Sequence, residues 1–330
     1  MTTFALFGAG RIGRIHAANI ARQSATRLKY ICDPHAESAA ALAEMTGAKV
    51  VEEDEIFSDD EVSAILIASS ADSHPALIKR AAETGKAIFC EKPVARAAAD
   101  VVSCLEVVAK HRGRLFVAFN RRFDPSFSAL KARLDAGEIG RPELIILTSR
   151  DPAPPPIEYI AKSGGLFRET MVHDFDVARW LLGEEPIEVF ATASCLVDPA
   201  IARAGSPDTA VVTLRTRTGA ICTINNSWRA AYGYDQRVEV LGSKGLLTVD
   251  NLRPTSVIQA DATASRRDLP LHFFLERYAD AYRIELDAFV RQLEDGVPAA
   301  PDGRDGLRAL LLADCAAVSA AENRPVTVGD

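Results

Sequence analysis

Short apolar runs alternate with amphipathic stretches along the first 120 residues of the chain. This alternation is typical of βαβ units, in which helices cover both faces of a parallel sheet. Apolar residues at helical spacing predict helices that include Ile12–Arg22 and His74–Thr84. The apolar runs predict six strands, namely Phe4–Phe7, Leu28–Asp33, Lys49–Val51, Ala64–Ala68, Ala87–Cys90 and Leu115–Ala118.

Beyond Asn120 the pattern changes to helices followed by longer strands. Helices are predicted near Ser126–Ala136, Glu169–Leu182, Leu275–Leu293 and Gly303–Asn323, and a proline-rich stretch at 150–156 separates the first two. We expect a mostly antiparallel meander, because the strands are linked by glycine turns. Its strands are Glu188–Leu196, Thr209–Thr216, Ala220–Trp228, Gln236–Leu241 and Leu246–Val249.

The composition narrows the class of protein. The 38 basic and 45 acidic residues give a net charge of −7 without a basic cluster, so nucleic acid is an unexpected partner. The six cysteines form no CxxC pair and are expected to be buried thiols rather than zinc ligands or disulfides. No apolar run is long enough for a membrane span, and the first residues do not form a signal peptide. We therefore expect a cytoplasmic protein.

A GxGxxG motif at Gly8, Gly10 and Gly13 follows the first predicted strand and opens a helix. Glycines at these positions permit a tight turn and close approach to a pyrophosphate, the signature of a Rossmann dinucleotide site. Asp33 ends the second strand, where a carboxylate accepts hydrogen bonds from the adenosine ribose. Because no Arg or Lys follows it to accept a 2′-phosphate, NAD is favoured over NADP. The alternative is a plain glycine turn beside a helix-capping Asp33.

Two further segments carry candidate chemistry. Glu91 and Lys92 follow the fifth strand, at the sheet edge where ligands bind, although a solvated ion pair explains them locally. Glu169 and His173 are spaced to share one helix face, so the carboxylate can orient the imidazole as a base. Alternatively, His173 and Asp176 cap or pair within an ordinary helix. A metal site is disfavoured because a third ligand is not evident.

These motifs together resemble the Gfo/Idh/MocA oxidoreductase family over nearly the whole chain. The resemblance rests on the sequences at 8–13, 69–74, 91–93 and 164–176. Within that family, the stretches at 149–159, 163–169 and 230–245 are most similar to the myo-inositol 2-dehydrogenases. The resemblance implies an N-terminal Rossmann domain with a doubly wound parallel sheet over 1–120. It also implies a C-terminal α+β domain with a large open, mostly antiparallel sheet over 121–330, whose last helices could pack on the first domain.

The resemblance also implies residue roles. Lys92 would hydrogen-bond the reacting hydroxyl, and His173 would take its proton. Glu169 stands where the family usually has Asp, so its arm is one methylene longer. Substrate contacts are expected from Lys92, Asp151, Glu169, His173, Tyr232 and Tyr234, although the proline run beside Asp151 could be a plain interdomain linker. The expected NAD-binding residues are Gly8, Gly10, Arg11, Ile12, Gly13, Asp33, Ser69, Ser70, His74, Glu91, Lys92, Pro93 and Arg121.

The implied reaction is NAD-dependent oxidation of a ring hydroxyl of a cyclic polyol, with myo-inositol converted to 2-keto-myo-inositol in inositol catabolism. No metal is expected. Another inositol isomer or a pyranose sugar remains an alternative substrate. A non-catalytic NAD-binding regulator is a further alternative, and it would be indicated by loss of Lys92 or His173. The family likeness also implies a homotetramer that pairs through the open sheet.

Overall fold

Six strands of the N-terminal region run in the same direction in the computed structural model, which describes residues 1–329. Their order is β3-β2-β1-β4-β5-β6, so the sheet extends outwards in both directions from the centre. The prediction of six parallel strands is confirmed, with ends that differ by two residues at most. The strands are β1 (Thr2–Phe7), β2 (Thr26–Cys32), β3 (Lys49–Val50), β4 (Ala64–Ile67), β5 (Ala87–Glu91) and β6 (Leu115–Ala118).

Helices connect these strands, as parallel pairing requires. The two helices predicted here are confirmed within one residue at each end. Helix α4 starts with Pro75 at its second residue, where the missing N–H leaves no hydrogen bond unmade. The helices are α1 (Arg11–Arg22), α2 (Ala36–Thr46), α3 (Glu53–Ser58), α4 (His74–Glu83) and α5 (Ala98–Lys110).

The rest of the chain starts with a 3-10 turn, Asn120–Phe123, and contains a π-helical turn, Leu166–Thr170. The helices are α6 (Pro125–Asp135), α7 (Ile157–Ser163), α8 (Met171–Leu182), α9 (Pro199–Arg203), α10 (Phe274–Arg277), α11 (Ala279–Glu294) and α12 (Gly303–Glu322). The strands are β7 (Pro142–Arg150), β8 (Pro186–Ser194), β9 (Thr209–Thr216), β10 (Ile221–Ser227), β11 (Asp235–Gly242), β12 (Gly245–Val249), β13 (Ile258–Ala260), β14 (Ser265–Arg267) and β15 (Val326–Thr327).

The chain divides into two units by the density of its internal contacts. The first unit comprises Met1–Phe123 and Ala281–Arg308, and the second comprises Asp124–Asp280 and the residues from 309 onward. The core of the first unit combines β-strand residues such as Phe4 and Phe89 with Leu286 and Phe289 of α11, all of them buried. Burial of these apolar side chains explains why the segment that starts at Ala281 belongs to the first unit.

A seven-stranded sheet in the order β12-β11-β7-β10-β9-β8-β15 forms the second unit. Its pairs are antiparallel except β7 with β10, which confirms a mostly antiparallel sheet. The predicted meander is wrong in one respect. Strand β7, which was not predicted, lies between β10 and β11, so these consecutive strands do not pair. Local pattern fixes a strand's faces but not its neighbours, which long-range packing selects.

One face of this sheet is covered and the other is open. Val189 and Val212 are buried on one face. Their chain neighbours Phe190 and Val211 point to the other face and are exposed. Strict alternation along the strands produces this division. The exposed apolar positions of the open face are Phe190, Val211, Ile221, Leu241 and Leu246.

Two predicted helices need correction. The helix predicted for Leu275–Leu293 is divided into α10 and α11, because Tyr278 leaves the helical conformation and its buried side chain bonds to Gln236 at 3.2 Å. The helix predicted from Glu169 begins at Met171, after the π-helical turn. Among the described residues no helix is both long and apolar enough to cross a bilayer.

The cysteines are free thiols, in agreement with the sequence, but not all of them are buried. Cys90, Cys104 and Cys222 are buried, and the other three are half-buried. Burial raises the pKa of Cys104 to about 11.

Candidate functional site

The glycine motif forms the turn between β1 and α1. Gly8 has a φ of +103°, and a Cβ there would lie 2.5 Å from the Ala68 carbonyl oxygen. A Cβ on Gly13 would lie 1.9 Å from the Gly8 oxygen, so helix and turn pack too closely for a side chain. A Cβ on Gly10 would meet nothing within 4 Å. Two glycines therefore shape the turn, and the third leaves its open side to a ligand, as a dinucleotide site requires.

Asp33 directly follows β2 and lies beside this turn. Its Oδ2 accepts a 2.6 Å hydrogen bond from the Ala9 amide, and its Oδ1 accepts a 2.7 Å bond from the His35 amide. The carboxylate is thus fixed next to the pyrophosphate turn, where the ribose of a dinucleotide lies. Arg11 and Ile12 begin α1, with Arg11 exposed and Ile12 half-buried.

The loops after β4 and β5 are joined by His74. Its Nδ1 lies 2.8 Å from the Pro93 carbonyl oxygen, and its Nε2 lies 3.2 Å from that of Ser69. Burial lowers the pKa of His74, so a neutral ring donates to only one of these oxygens. The contacts make His74 a support for both loops. Ser69 bonds to Ser73 at 2.7 Å, and Ser70 lies between these two serines in the same turn.

Glu91 ends β5 and is largely buried, with its Oε1 2.7 Å from Nε2 of His16. The interpretation of Glu91 as a solvated group is therefore wrong. Lys92 and Pro93 follow it and are half-buried. Arg121 lies in the 3-10 turn after β6 and is 4% exposed. The expected cofactor residues thus all lie at or beyond the carboxyl ends of the parallel strands or in α1, which starts there.

The second unit carries Glu169 and His173 on consecutive turns. Glu169 is in the π-helical turn and His173 is the third residue of α8, and both are half-buried. π-Helical turns occur frequently at functional sites because they change the direction of side chains within a helix. Asp176 is buried, and its Oδ1 lies 3.8 Å from Nη1 of Arg179. Asp176 therefore pairs within the helix, as the alternative of an ordinary helix expects. That alternative does not account for Glu169.

Two buried hydrogen bonds fix the segment around His173 to the end of β10. Trp228 Nε1 donates to Thr170 Oγ1 at 2.9 Å, and Asn226 Nδ2 donates to Asp174 Oδ2 at 2.9 Å. Buried polar contacts of this kind are costly to break, so they define the helix position. Trp228 is fully buried and therefore packs inside the unit.

The parallel pairing of β7 with β10 brings Asp151 to the same sheet edge. Arg150 is opposite Ser227, and the Asp151 backbone amide donates to the Ser227 carbonyl oxygen at 2.9 Å. The Ala230 backbone amide in turn donates to the Asp151 carbonyl oxygen at 2.8 Å. The interpretation of the proline run as an interdomain linker is wrong, because residues 152–156 lie within the second unit.

The two tyrosines precede β11 at this edge and differ in exposure. Tyr232 is 38% exposed, whereas Tyr234 is buried and its ring meets that of Tyr278 edge-on at 5.9 Å. Burial, and then the hydrogen bond to Asp235, raises the pKa of Tyr232. The second unit thus assembles one set of candidate residues at the edge formed by β7, β10 and β11, namely Asp151, Glu169, His173, Tyr232 and Tyr234.

Several residues at these sites were not identified from the sequence. Asp235 accepts hydrogen bonds from Tyr232, Arg237 and Asn251, and its position directly after the two tyrosines was the available signal. His16 lies at helical spacing among apolar residues and therefore looks like a core residue. Asn226 is likewise a single polar residue in a strand, with nothing in the sequence to link it to α8.

Both regions match one family in sequence. Residues 2–119 match the oxidoreductase family described as having an NAD-binding Rossmann fold, and residues 127–248 match the GFO/IDH/MocA C-terminal domain. The chain is 47% identical to an inositol 2-dehydrogenase of Rhizobium meliloti over 98% of both chains. It is 45% identical to a myo-inositol 2-dehydrogenase of Thermotoga maritima over 97% of both.

Solved structures agree with these matches. A myo-inositol dehydrogenase from Corynebacterium glutamicum is similar with a TM-score of 0.96 and 43% identity, over 100% of this chain and 99% of that one. A scyllo-inositol dehydrogenase from Lactobacillus casei, with bound NAD(H) and scyllo-inositol, is similar with a TM-score of 0.92 and 27% identity, over 100% of both chains.

Proposed function

The chain belongs to the GFO/IDH/MocA family of NAD-binding oxidoreductases, and we propose that it catalyses the NAD-dependent oxidation of myo-inositol to 2-keto-myo-inositol. The observation that carries the choice of substrate is the 47% identity to an inositol 2-dehydrogenase along 98% of both chains. A likeness of that extent includes every segment that bears a candidate site residue. An alternative inositol isomer or a pyranose remains within the same chemistry.

The residues of the first unit fit NAD. Gly10 has open space for a pyrophosphate, and Asp33 is held beside the glycine turn with a carboxylate that a ribose hydroxyl can reach. Pro34, His35 and Ala36 follow without a cation for a 2′-phosphate. Bound NAD would supply the hydride acceptor for the carbon that carries the reacting hydroxyl.

The chain's own residues manage the proton and the position of the alcohol. We assign Lys92 to hydrogen-bond the reacting oxygen, which favours loss of its proton. His173 accepts that proton at an imidazole nitrogen, and the C–O single bond becomes a carbonyl. Glu169, one turn earlier, stabilises the imidazolium that results. These three roles are the ones that the family resemblance implies at the matching positions.

Selection of one hydroxyl among six similar ones requires several fixed polar groups around the ring. Asp151, Tyr232 and Tyr234 are our candidates, because the strand pairing brings them to the sheet edge at which β10 holds α8. A site with committed hydrogen-bond partners rejects a wrong epimer strongly, since a mismatched hydroxyl leaves a buried group unpaired.

We also propose that the protein is a homotetramer that pairs through the open face of the seven-stranded sheet. Exposed Phe190, Val211 and Ile221 lie on neighbouring strands of that face. An open sheet face that carries several exposed apolar residues is a candidate interaction surface.

A direct assay tests the reaction. The protein is mixed with NAD and, in separate reactions, with myo-inositol, scyllo-inositol, D-chiro-inositol or glucose, and NADH formation is followed by absorbance. We expect the highest kcat/KM with myo-inositol. A higher kcat/KM for another ring would make that compound the preferred substrate. NAD binding without turnover of any of the four compounds would favour a non-catalytic NAD-binding regulator.

A further inference from the structure

A cluster of three titratable side chains lies inside the first unit. His16 of α1, Glu91 of β5 and Glu285 of α11 each place one nitrogen or oxygen atom within 4.8 Å of the others. His16 and Glu285 are completely buried. The ring of His16 meets those of Phe89 and Tyr282 edge-on, at 5.0 and 5.8 Å between centroids. The surroundings are therefore apolar and aromatic.

Glu285 is the unusual member of the cluster. Both of its carboxyl oxygens are buried and have no hydrogen-bond partner. An ionised carboxylate in such a place loses its hydration without compensation, which is very unfavourable. The nearby negative charge of Glu91 also disfavours an anion at Glu285. Burial first, and then this charge, raises the pKa of Glu285 well above its usual range.

The hydrogen bond between His16 and Glu91 decides where the other charges lie. His16 Nε2 is 2.7 Å from Glu91 Oε1, whereas its buried Nδ1 has no partner. A neutral ring with its proton on Nε2 donates to Glu91 and leaves only a lone pair at Nδ1. We assign this tautomer because an imidazolium would bury an unmade N–H donor. Glu91 is then the anionic member of the cluster.

We propose that Glu285 is a neutral carboxylic acid which, together with His16, fixes the position and charge of Glu91 and so acts as a positioning residue for the adjacent Lys92. The Glu91 carboxylate has an oxygen within 4.8 Å of one in Glu285, so it is an anionic acceptor near the acid proton, although the two groups are not hydrogen-bonded. His16 approaches the same carboxylate from α1, and Tyr282 lies one turn before Glu285 on its own helix. The role in catalysis rests on the proposed function, but the protonation state of Glu285 does not.

The protonation state is tested by comparing unfolding of the unmutated protein, Glu285→Gln and the control Glu294→Gln between about pH 5 and about pH 9. Glu294 is exposed on the same helix. If Glu285 keeps its proton in the folded state but loses it in the unfolded state, the protein becomes less stable as pH rises above the unfolded glutamate pKa of about 4.3. Because Gln does not titrate, the Tm of Glu285→Gln should gain on that of the unmutated protein as pH rises. The Tm of Glu294→Gln should follow the unmutated protein throughout.

Infrared spectroscopy gives a second readout that does not depend on activity. The unmutated protein and Glu294→Gln should share a carbonyl-stretch band of a protonated carboxyl group, which Glu285→Gln lacks. Absence of both the band and the divergence in Tm overturns the proposal. A divalent cation found at one per chain in the unmutated protein and lost in Glu285→Gln also overturns it, because Glu285 would then be an anionic ligand.

Kinetics test the positioning role. Glu285→Gln keeps a neutral group of the same shape, so kcat should stay within about twofold, whereas Glu285→Leu should lower kcat by about tenfold with a smaller change in the KM for NAD. Equal kcat values for both variants overturn the positioning role. If the unmutated protein oxidises none of the rings, the proposed function fails, while the unfolding and infrared results still decide the state of Glu285.

Discussion

The hydroxyl of Tyr232 donates a 2.6 Å hydrogen bond to Oδ2 of the buried Asp235 and accepts a 3.0 Å bond from Arg150 Nη1. The tyrosine proton is therefore committed within the protein. Towards a substrate hydroxyl, Tyr232 can only accept a hydrogen bond. A substrate group at this position must be a donor, which a ring hydroxyl is and an ether oxygen is not.

The hydrogen bonds to Asp235 also predict how the stability of the protein changes at low pH. Burial acts to raise the pKa of Asp235, but hydrogen bonds from Arg237, Tyr232 and Asn251 outweigh it and lower the pKa below its ordinary value of about 3.9. Stability from these bonds is present above that value and is lost as pH falls through the lower folded pKa. Asp235→Asn should therefore show a smaller fall in Tm between about pH 5 and about pH 2 than the unmutated protein.

The control for that experiment is Tyr232→Phe, which removes one donor but leaves the carboxylate. It should cost about 1 kcal/mol at neutral pH and retain most of the acid dependence. Thermal unfolding monitored by circular dichroism measures both variants. Identical acid profiles for Asp235→Asn and the unmutated protein would rule out this source of the pH dependence.

Asp33 should determine the choice between NAD and NADP. A carboxylate at this position favours ribose hydroxyls and repels a 2′-phosphate. Loss of a hydrogen bond to a charged group in Asp33→Ala should weaken NAD binding by about ten- to a hundredfold and reduce the preference over NADP. Fluorescence titration with both cofactors measures this. Asp33→Asn separates charge from shape, and tighter binding of NADP than NAD by the unmutated protein contradicts the assignment.

Lys92→Ala should leave NAD binding intact and lower kcat by about a hundredfold or more, because we place its ammonium on the reacting oxygen. Lys110→Ala, an exposed lysine at the end of α5, is the control and should behave like the unmutated enzyme. Steady-state kinetics and NAD titration together distinguish the two effects. A kcat for Lys92→Ala within a few-fold of the unmutated value would exclude Lys92 from catalysis.

The sequence predicted the parallel half of the fold because each of its strands is a short apolar run between clear helices. It also placed Glu169 and His173 on adjacent turns, since helical spacing is a local property. The position of β7 between β10 and β11 could not be read in the same way, because strand order depends on contacts distant in sequence. The cluster of His16 with Glu285 was missed for the same reason, since 269 positions separate two residues that each lie in an ordinary amphipathic helix.

The open sheet face should control the oligomeric state. A charge placed on Val211, which is 51% exposed on that face, would have to be buried on association. We expect Val211→Lys to lower the mass measured by light scattering from that of a tetramer. Met45→Lys, a change at an exposed apolar residue of α2, should leave the mass unchanged. A monomeric mass for the unmutated protein at micromolar concentration refutes the proposal.

His173 should be the proton acceptor, with its basicity raised by Glu169. A base must lose its own proton before it can act, so kcat/KM for oxidation should rise with pH through the range where imidazole titrates, about 6.5. His173→Ala should lower kcat by about a hundredfold or more and remove this limb of the profile. NAD affinity, measured separately, should not change.

The Glu169 variants distinguish orientation from charge. Glu169→Gln keeps the size and removes the charge, so the imidazolium loses stabilisation and the limb should move to lower pH while oxidation slows. Glu169→Asp keeps the charge on a shorter arm, and its effect should be smaller. If His173→Ala retains both the rate and the pH profile, and the Glu169 variants match the unmutated enzyme, then the helix is structural. Lys92, the other group that we place at the reacting oxygen, would then be the next candidate for the base.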